Sequence, residues 1–212
     1  MHLPPPSNDL NNYTIEIIFR CNDSITHFGS GGGLGNPSII NNIPNGKYYN
    51  GGIKIGINNG ILYSYKYGGH CTAYSFVSDN KMHKIVITRN SDDYTEIYLD
   101  DNLINKGALF PELSSTCEIA FIYEYYFCSV VDGYPLKSLY LEYFRLHDRV
   151  LNREEFFKYT NDPYILYPSI KRIIKSGTDL YLKDWSGNNR NMLLVEPNNC
   201  KSDTIVSNLR LK

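Results

Sequence analysis

Acidic side chains that could do acid–base work are few in this chain and badly spaced for it. A retaining glycosidase needs two carboxylates about 5–5.5 Å apart, a distance that alternate positions of one strand supply. Glu96 and Asp100 stand four positions apart with Tyr98, not an acid, at the alternate position between them, and Glu142 is alone on its stretch. The five histidines are not accompanied by a G-x-S-x-G elbow, so nucleophilic hydrolysis has no visible framework. His70, His83 and His147 read as surface or packed histidines. The chain is rich instead in aromatic faces, with 19 Tyr and 9 Phe. Tyr63, Tyr65 and Tyr67 alternate with Leu62, Ser64 and Lys66 and so project from one face of a strand. Aromatic rings of this kind stack on sugars while nearby polar groups hold hydroxyls, which makes Tyr65 and Tyr67, with His70, the candidate glycan-binding residues. Alternation alone assigns their face equally to core or to solvent.

The elements that must position these groups are strands. From His83 to Ile104 the sequence alternates, turns and alternates again. Ile85 and Ile87 share a face with His83 and Arg89, while Lys84, Val86 and Thr88 take the other. Asn90, Ser91, Asp92 and Asp93 favour a turn because their side chains bond nearby backbone groups. A second arm runs from Tyr94 to Leu99, and Asp100, Asp101 and Asn102 supply a tight turn before Leu103 and Ile104. Another hairpin joins Ile53 to Ile57 with Ile61 to Tyr67 through Asn58-Asn59-Gly60. Further strands are expected over Tyr13 to Arg20, Thr72 to Val77, Glu118 to Phe127 and Leu136 to His147. Ile85, Ile87, Ile97 and Leu99 should share one antiparallel sheet, with Phe144 and Leu146 on a neighbouring strand. Asn152 can cap a short helix whose first turn holds Glu154 and Glu155, where carboxylates oppose the helix dipole favourably. Phe156 or Phe157 should then close an edge of the structure.

Three segments resemble the concanavalin A-like, laminin-G-like domains. The hairpin resembles their "W/H-H-x-V-x-T … x-L-Y-V-D-G" signature. Phe144 to Leu151 takes the places of the closing "x-R-I-Y-N-R-A-L" segment, and Tyr13 to Arg20, YTIEIIFR, resembles the opening "F-T-I-E-x-W-V-K" strand. The resemblance implies an all-β, antiparallel two-sheet jelly-roll sandwich with one short helix, over residues 10–160. Laminarinase relatives of this fold carry an E-x-D-x-x-E set on one strand; this sequence has none, so a non-catalytic module is expected. Laminin-G-like domains also bind calcium through loop oxygens, which makes Asp92, Asp93, Asp100 and Asp101 the candidate ligands, against the plainer reading that Asp serves the turn itself.

Beyond residue 160 the pattern changes. Thr160 to Pro168 holds two prolines and reads as an extended connector. Asn161, Pro163, Leu166, Tyr167, Pro168 and Arg172 resemble an "N-P-x-x-L-F-x-P-x-x-R" tail of bacteriophage structural proteins, with Asp162 inserted. Asp179 to Val195 resembles the "D-x-S-G-N-x-x-x-G-x-L" segment found at the start of these domains, here near the end. Residues 161–212 are therefore expected to be a connector and a C-terminal segment that packs on the sandwich or anchors it to a partner.

Composition excludes some classes. A net charge of -1 with no basic stripe leaves no electrostatic footprint for nucleic acid. No apolar run approaches the roughly 20 residues of a membrane span. Met1 to Asp9 has neither a charged n-region nor an apolar h-region, which points to a chain made without a cleaved signal. Five widely spaced cysteines without a C-x-x-C pair indicate buried free thiols rather than a disulfide framework or a zinc site. GSGGGLG, within the loop expected from Asn22 to Asn50, lacks the Gly-Lys-Ser/Thr of a phosphate cradle. The abundance of Asn, Ile, Lys and Tyr matches what an AT-rich genome overproduces. The expectation is a virion surface protein, a fibre, tail or capsid decoration, with glycan binding, other virion proteins as partners and self-association through exposed sheet edges. The alternative is an extracellular carbohydrate-binding lectin module on a bacterial surface.

Overall fold

The structure, a computed structural model, describes residues 2–3, 8–22, 38–42, 53–66, 70–107, 110–113, 119–123, 139–158, 165–167, 173–176, 179–188 and 192–193. Its strands are β1 (His2–Leu3), β2 (Tyr13–Cys21), β3 (Ser38–Asn42), β4 (Ile53–Asn58), β5 (Ile61–Lys66), β6 (His70–Phe76), β7 (Met82–Arg89), β8 (Thr95–Leu99), β9 (Asn102–Gly107), β10 (Ile119–Tyr123), β11 (Leu139–His147), β12 (Ile165–Tyr167), β13 (Ile173–Ser176), β14 (Asp179–Leu182) and β15 (Met192–Leu193). They form two antiparallel sheets, one in the order β13-β14-β15-β1-β10-β3-β4-β5-β6 and one in the order β12-β11-β2-β7-β8-β9. This is the all-β sandwich that the alternation requires.

Register explains the core. In the six-stranded sheet, Phe144, Ile17, Ile85 and Leu99 lie directly opposite one another across four strands, and Leu146, Ile15, Ile87 and Ile97 form a second such row. Both rows are buried against Ile39, Ile40, Ile53, Ile55, Ile57 and Leu62 of the nine-stranded sheet. Sliding any of these strands by one residue would turn its isoleucines out to solvent, so the apolar alternation fixes the pairing. The strand carrying Phe144 and Leu146 is not next to β7, however. β2 lies between them, because its own alternate residues are apolar and it pairs on both sides.

Turns follow the residue chemistry. Asn59 and Gly60 both have positive φ, the geometry of a two-residue hairpin turn whose twist suits the strands. A Cβ at Gly60 would collide with the ring of Phe76, so the small residue is needed for close approach as well as for φ. Asp100 and Asp101 form a second two-residue turn with positive φ, between β8 and β9.

Three segments depart from expectation. β3 lies inside the stretch read as one loop, where a register shift between Ser38 and Ile40 lets both Ile39 and Ile40 be buried and so breaks the alternation. The connector contains β12, which fits between Pro163 and Pro168 and pairs with the edge of β11. The short helix is a single 3-10 turn, Arg153–Glu155, because the chain leaves helical geometry at Phe156, ψ 129, and Phe157 then takes φ +56. The glycine-rich stretch lies outside the described residues. Among the described residues no helix is long and apolar enough to cross a membrane.

The segment after residue 160 supplies strands to both sheets: β12 pairs with β11, and β15 pairs with β14 and with β1, placing Leu193 opposite His2. Truncation after Thr160 is therefore expected to lower the thermal midpoint followed by circular dichroism and to broaden the transition. A truncated chain that melts as sharply and at the same temperature as the full chain would contradict this assignment.

Candidate functional site

One buried charge cluster lies on the outer face of the six-stranded sheet. Glu16 and Arg145 are cross-strand partners, both out of solvent, and the Arg145 guanidinium donates through Nε to the Glu16 carboxylate. The same carboxylate accepts the backbone N–H of Phe157, and Arg145 Nη1 donates to the Lys158 carbonyl at 2.6 Å. Thr14 donates to the Arg149 carbonyl at 3.0 Å and accepts the Leu151 N–H at 2.9 Å. Residues 149–158 are thereby laid over the sheet, which is why β2 is buried on both faces. Phe156 meets Tyr98 edge-on and Phe157 lies against Tyr143 and beneath Lys84. The two phenylalanines cover this face rather than closing an edge, because the N–H of Phe157 is drawn to Glu16.

Burial alone pushes the Glu16 carboxyl upward, but His147, with Nε2 3.6 Å away, Arg145 and the Phe157 N–H more than reverse it and hold the group below the usual range. That is the opposite of a general acid, which needs a raised pKa. The Glu96 carboxylate, on β8, takes the Tyr98 hydroxyl. His83 and His147 are packed, as the sequence indicates. His83 bridges two turns, with Nδ1 2.8 Å from Asp100 and Nε2 3.0 Å from Asp79.

The acidic turn residues fall into two pairs. Asp92 and Asp93 stand before β8 and Asp100 and Asp101 after it, about 20 Å apart at ~3.3 Å per residue, so the four do not fit one calcium ion. Asp93 accepts from Arg89, Asp100 accepts the Lys84 N–H at 2.9 Å, and the Asp101 carbonyl accepts from Arg153. Among the described residues no cluster of three His, Cys, Asp or Glu side chains could hold a metal.

Of the candidate glycan residues, Tyr65 is on β5 opposite Cys71 and His70 is on β6 opposite Lys66, while Tyr67 lies outside the described residues. The antiparallel order sets the link from β5 to β6 at one end of the nine-stranded sheet. β3, into which the glycine-rich stretch leads, begins at the other end, where Ser38 faces Gly56.

The turn leading from β14 toward β15 is at the same end as the β5–β6 link, and it carries the residue that sequence reading passed over. Trp185, the single tryptophan of the chain, is 42% exposed. Its neighbours fix it there. Asp184 is buried, its carboxylate accepting the Ser186 N–H at 2.9 Å and the Ser186 hydroxyl at 2.8 Å, and Asn188 donates its N–H to Ser186 Oγ at 3.2 Å. Gly187 completes the turn at φ +91. With Asp184 anchored inward, the next side chain is presented outward, and the Lys183 ammonium lies 5.3 Å from the indole.

A second exposed aromatic, Tyr140, carries Arg20 over its ring at 4.8 Å, beside exposed Met82 on β7.

No protein-family profile and no curated protein matches the chain. Solved structures do. A protein from Bacteroides ovatus, described provisionally as carbohydrate binding, superposes with a TM-score of 0.59 over 91% of this chain and 55% of its own, at 12% identity. Domain 4 of an extracellular arabinanase from Geobacillus stearothermophilus, solved with arabinotriose, gives 0.49 over 72% and 68% at 13% identity. The binding domain of Paraclostridial Mosquitocidal Protein 1 gives 0.46 over 69% and 37% at 19% identity. The chain thus spans about half of the first protein and about a third of the last. At these identities the likeness to the first is one of fold.

Two expectations follow from the buried cluster and the turn acids. Arg145→Met should cost about 3–5 kcal/mol in urea denaturation, since it strands the Glu16 charge, while Glu16→Leu with Arg145→Met should cost less than the sum of the single changes. Acid should also unfold the protein in a defined direction. The Lys81 N–H, above all, and the neighbouring His83 and Lys81 side chains hold Asp79 at about 2, below its ordinary 3.8, and Glu16 is lowered too. Their contribution is present above the ordinary carboxylate range and is lost as pH falls, for Asp79 between about 4 and about 2. A urea midpoint that stays constant from pH 5 to pH 2 would exclude this linkage.

Proposed function

We propose that this chain is a non-catalytic adhesion module that binds carbohydrate, carried on a virion surface. The observation that carries the binding half is Trp185: a large aromatic face left open to solvent on a turn whose own hydrogen bonds hold it in place. Sugars offer C–H faces to such rings and hydroxyls to the polar groups around them, and a site already rigid loses little freedom on binding. The fold shared with a protein provisionally described as carbohydrate binding supports the same reading.

The carboxylates argue against hydrolysis. The buried ones among the described residues are Glu16 and Asp184. Burial raises the Glu16 carboxyl, but His147, Arg145 and the Phe157 N–H hold it below the usual range, unlike a general acid, and both Asp184 oxygens accept from Ser186. The virion location rests on the sequence: the phage-tail resemblance around Asn161 to Arg172 and the AT-biased composition. Detection of the chain by mass spectrometry in purified particles would support it, and recovery only from cell-surface fractions would favour the bacterial lectin alternative.

Because Trp185 is the sole tryptophan, its fluorescence reports on its own surroundings alone. Titration with a panel of saccharides should give a saturable change in emission for at least one of them. Trp185→Ala should remove binding of that saccharide by calorimetry while leaving the far-UV circular dichroism unchanged. Full affinity in the folded Trp185→Ala protein would remove Trp185 from the site.

A further inference from the structure

Resting on the carbohydrate-binding reading, the geometry around Trp185 points to the class of saccharide: we propose that it carries an anionic group, a carboxylate or a sulfate, which Lys183 receives while the sugar ring stacks on the indole. The argument is electrostatic. Lys183 is exposed, and its one side-chain interaction among the described residues is the approach of its ammonium to the Trp185 ring at 5.3 Å. Among the described residues no carboxylate is paired with it. The neighbouring acid, Asp184, is turned into the protein with 4% exposure, and both of its oxygens accept from Ser186. The turn therefore presents one positive charge and an aromatic face side by side, with the adjacent negative charge withdrawn.

A neutral sugar would compete with the ammonium for the ring face, because a cation within about 6 Å of an indole is itself attracted to it. An anionic sugar resolves that competition. Its charged group draws the ammonium aside into a charge-assisted hydrogen bond, and the ring face is released to the sugar. The hydrogen bonds among Asp184, Ser186 and the Asn188 backbone, which hold the turn, are made without the Lys183 and Trp185 side chains.

The test compares matched probes on the full chain by calorimetry: oligogalacturonate against its neutral methyl ester, and chondroitin sulfate oligosaccharide against unsulfated chondroitin. Preference for the carboxylate probe over its ester, or for the sulfated probe, is expected to be about tenfold and to fall with added salt. Lys183→Met, which keeps the aliphatic stem, should abolish the preference, and Lys183→Arg should retain it. The first pair of probes isolates a carboxylate source and the second a sulfate. Equal binding of charged and neutral probes, lost in Trp185→Ala, would overturn the anionic class and leave the carbohydrate reading intact. Anion preference that survives Lys183→Met would overturn the role of Lys183. Failure of every saccharide, charged or neutral, would overturn the carbohydrate reading itself.

Discussion

Glu16 is the constraint around which the six-stranded sheet is organised. A carboxylate on the central strand β2, out of contact with water, is tolerable only if it is paired and its lone pairs are filled. Arg145 answers from β11, and the Phe157 N–H answers from the covering segment. That second partner has structural consequences. It ends the 3-10 turn after Glu155, forces Phe157 to positive φ and seats the two phenylalanines on Tyr98 and Tyr143. A non-glycine residue at positive φ is strained by about 1–3 kcal/mol and persists only where its surroundings over-determine it. Here the ion pair and the aromatic contacts do so together. Arg149 and Glu155 add support from within the segment, paired at 2.9 Å, and the Glu155 carboxylate also takes the Asn152 N–H at 2.7 Å.

The binding surface has a different basis. At the Trp185 turn the described order includes a short chain of local hydrogen bonds around the buried Asp184. Asp184 and Ser186 close an Asx-type turn, a device that short polar side chains provide locally. The molecule thus separates its two tasks. The sandwich supplies a rigid frame through long-range pairing, and the turn supplies a presented side chain through local bonding.

What was legible in the sequence follows the same division. The Ile85–Leu99 and Ile87–Ile97 pairings could be read because apolar alternation and polar turn residues say the same thing at the same place. β3 could not, since Ile39 and Ile40 are consecutive and both buried, and a bulge erases the period-2 signal. β12 was hidden by its flanking prolines, which mark a connector unless the partner strand is known. The turn acids were legible as turn formers: Asp93, Asp100 and Asp101 all take positive φ. The motif around Asp184 to Asn188 was visible as a segment, but its meaning for Trp185 was not, because burial of Asp184 depends on tertiary packing. Likewise, Glu16 in YTIEIIFR looks like an ordinary polar position on a half-exposed strand. Only the fold shows that a second layer of chain covers it.

The pairing of His2 with Leu193 bears on how the molecule is assembled. These residues sit side by side in the nine-stranded sheet although almost the whole described chain lies between them. Closing so long a loop has an entropic cost, and β topologies rich in such contacts fold in milliseconds to seconds rather than microseconds. During synthesis the early strands β1 and β2 emerge long before β15, so β1 must wait with one edge unpaired until nearly two hundred residues have been made. Over that interval the growing chain is exposed to edge-to-edge association with its neighbours on the same message. Translation speed and chaperone supply then bear on how much of it reaches the native state, alongside the final stability of the sandwich.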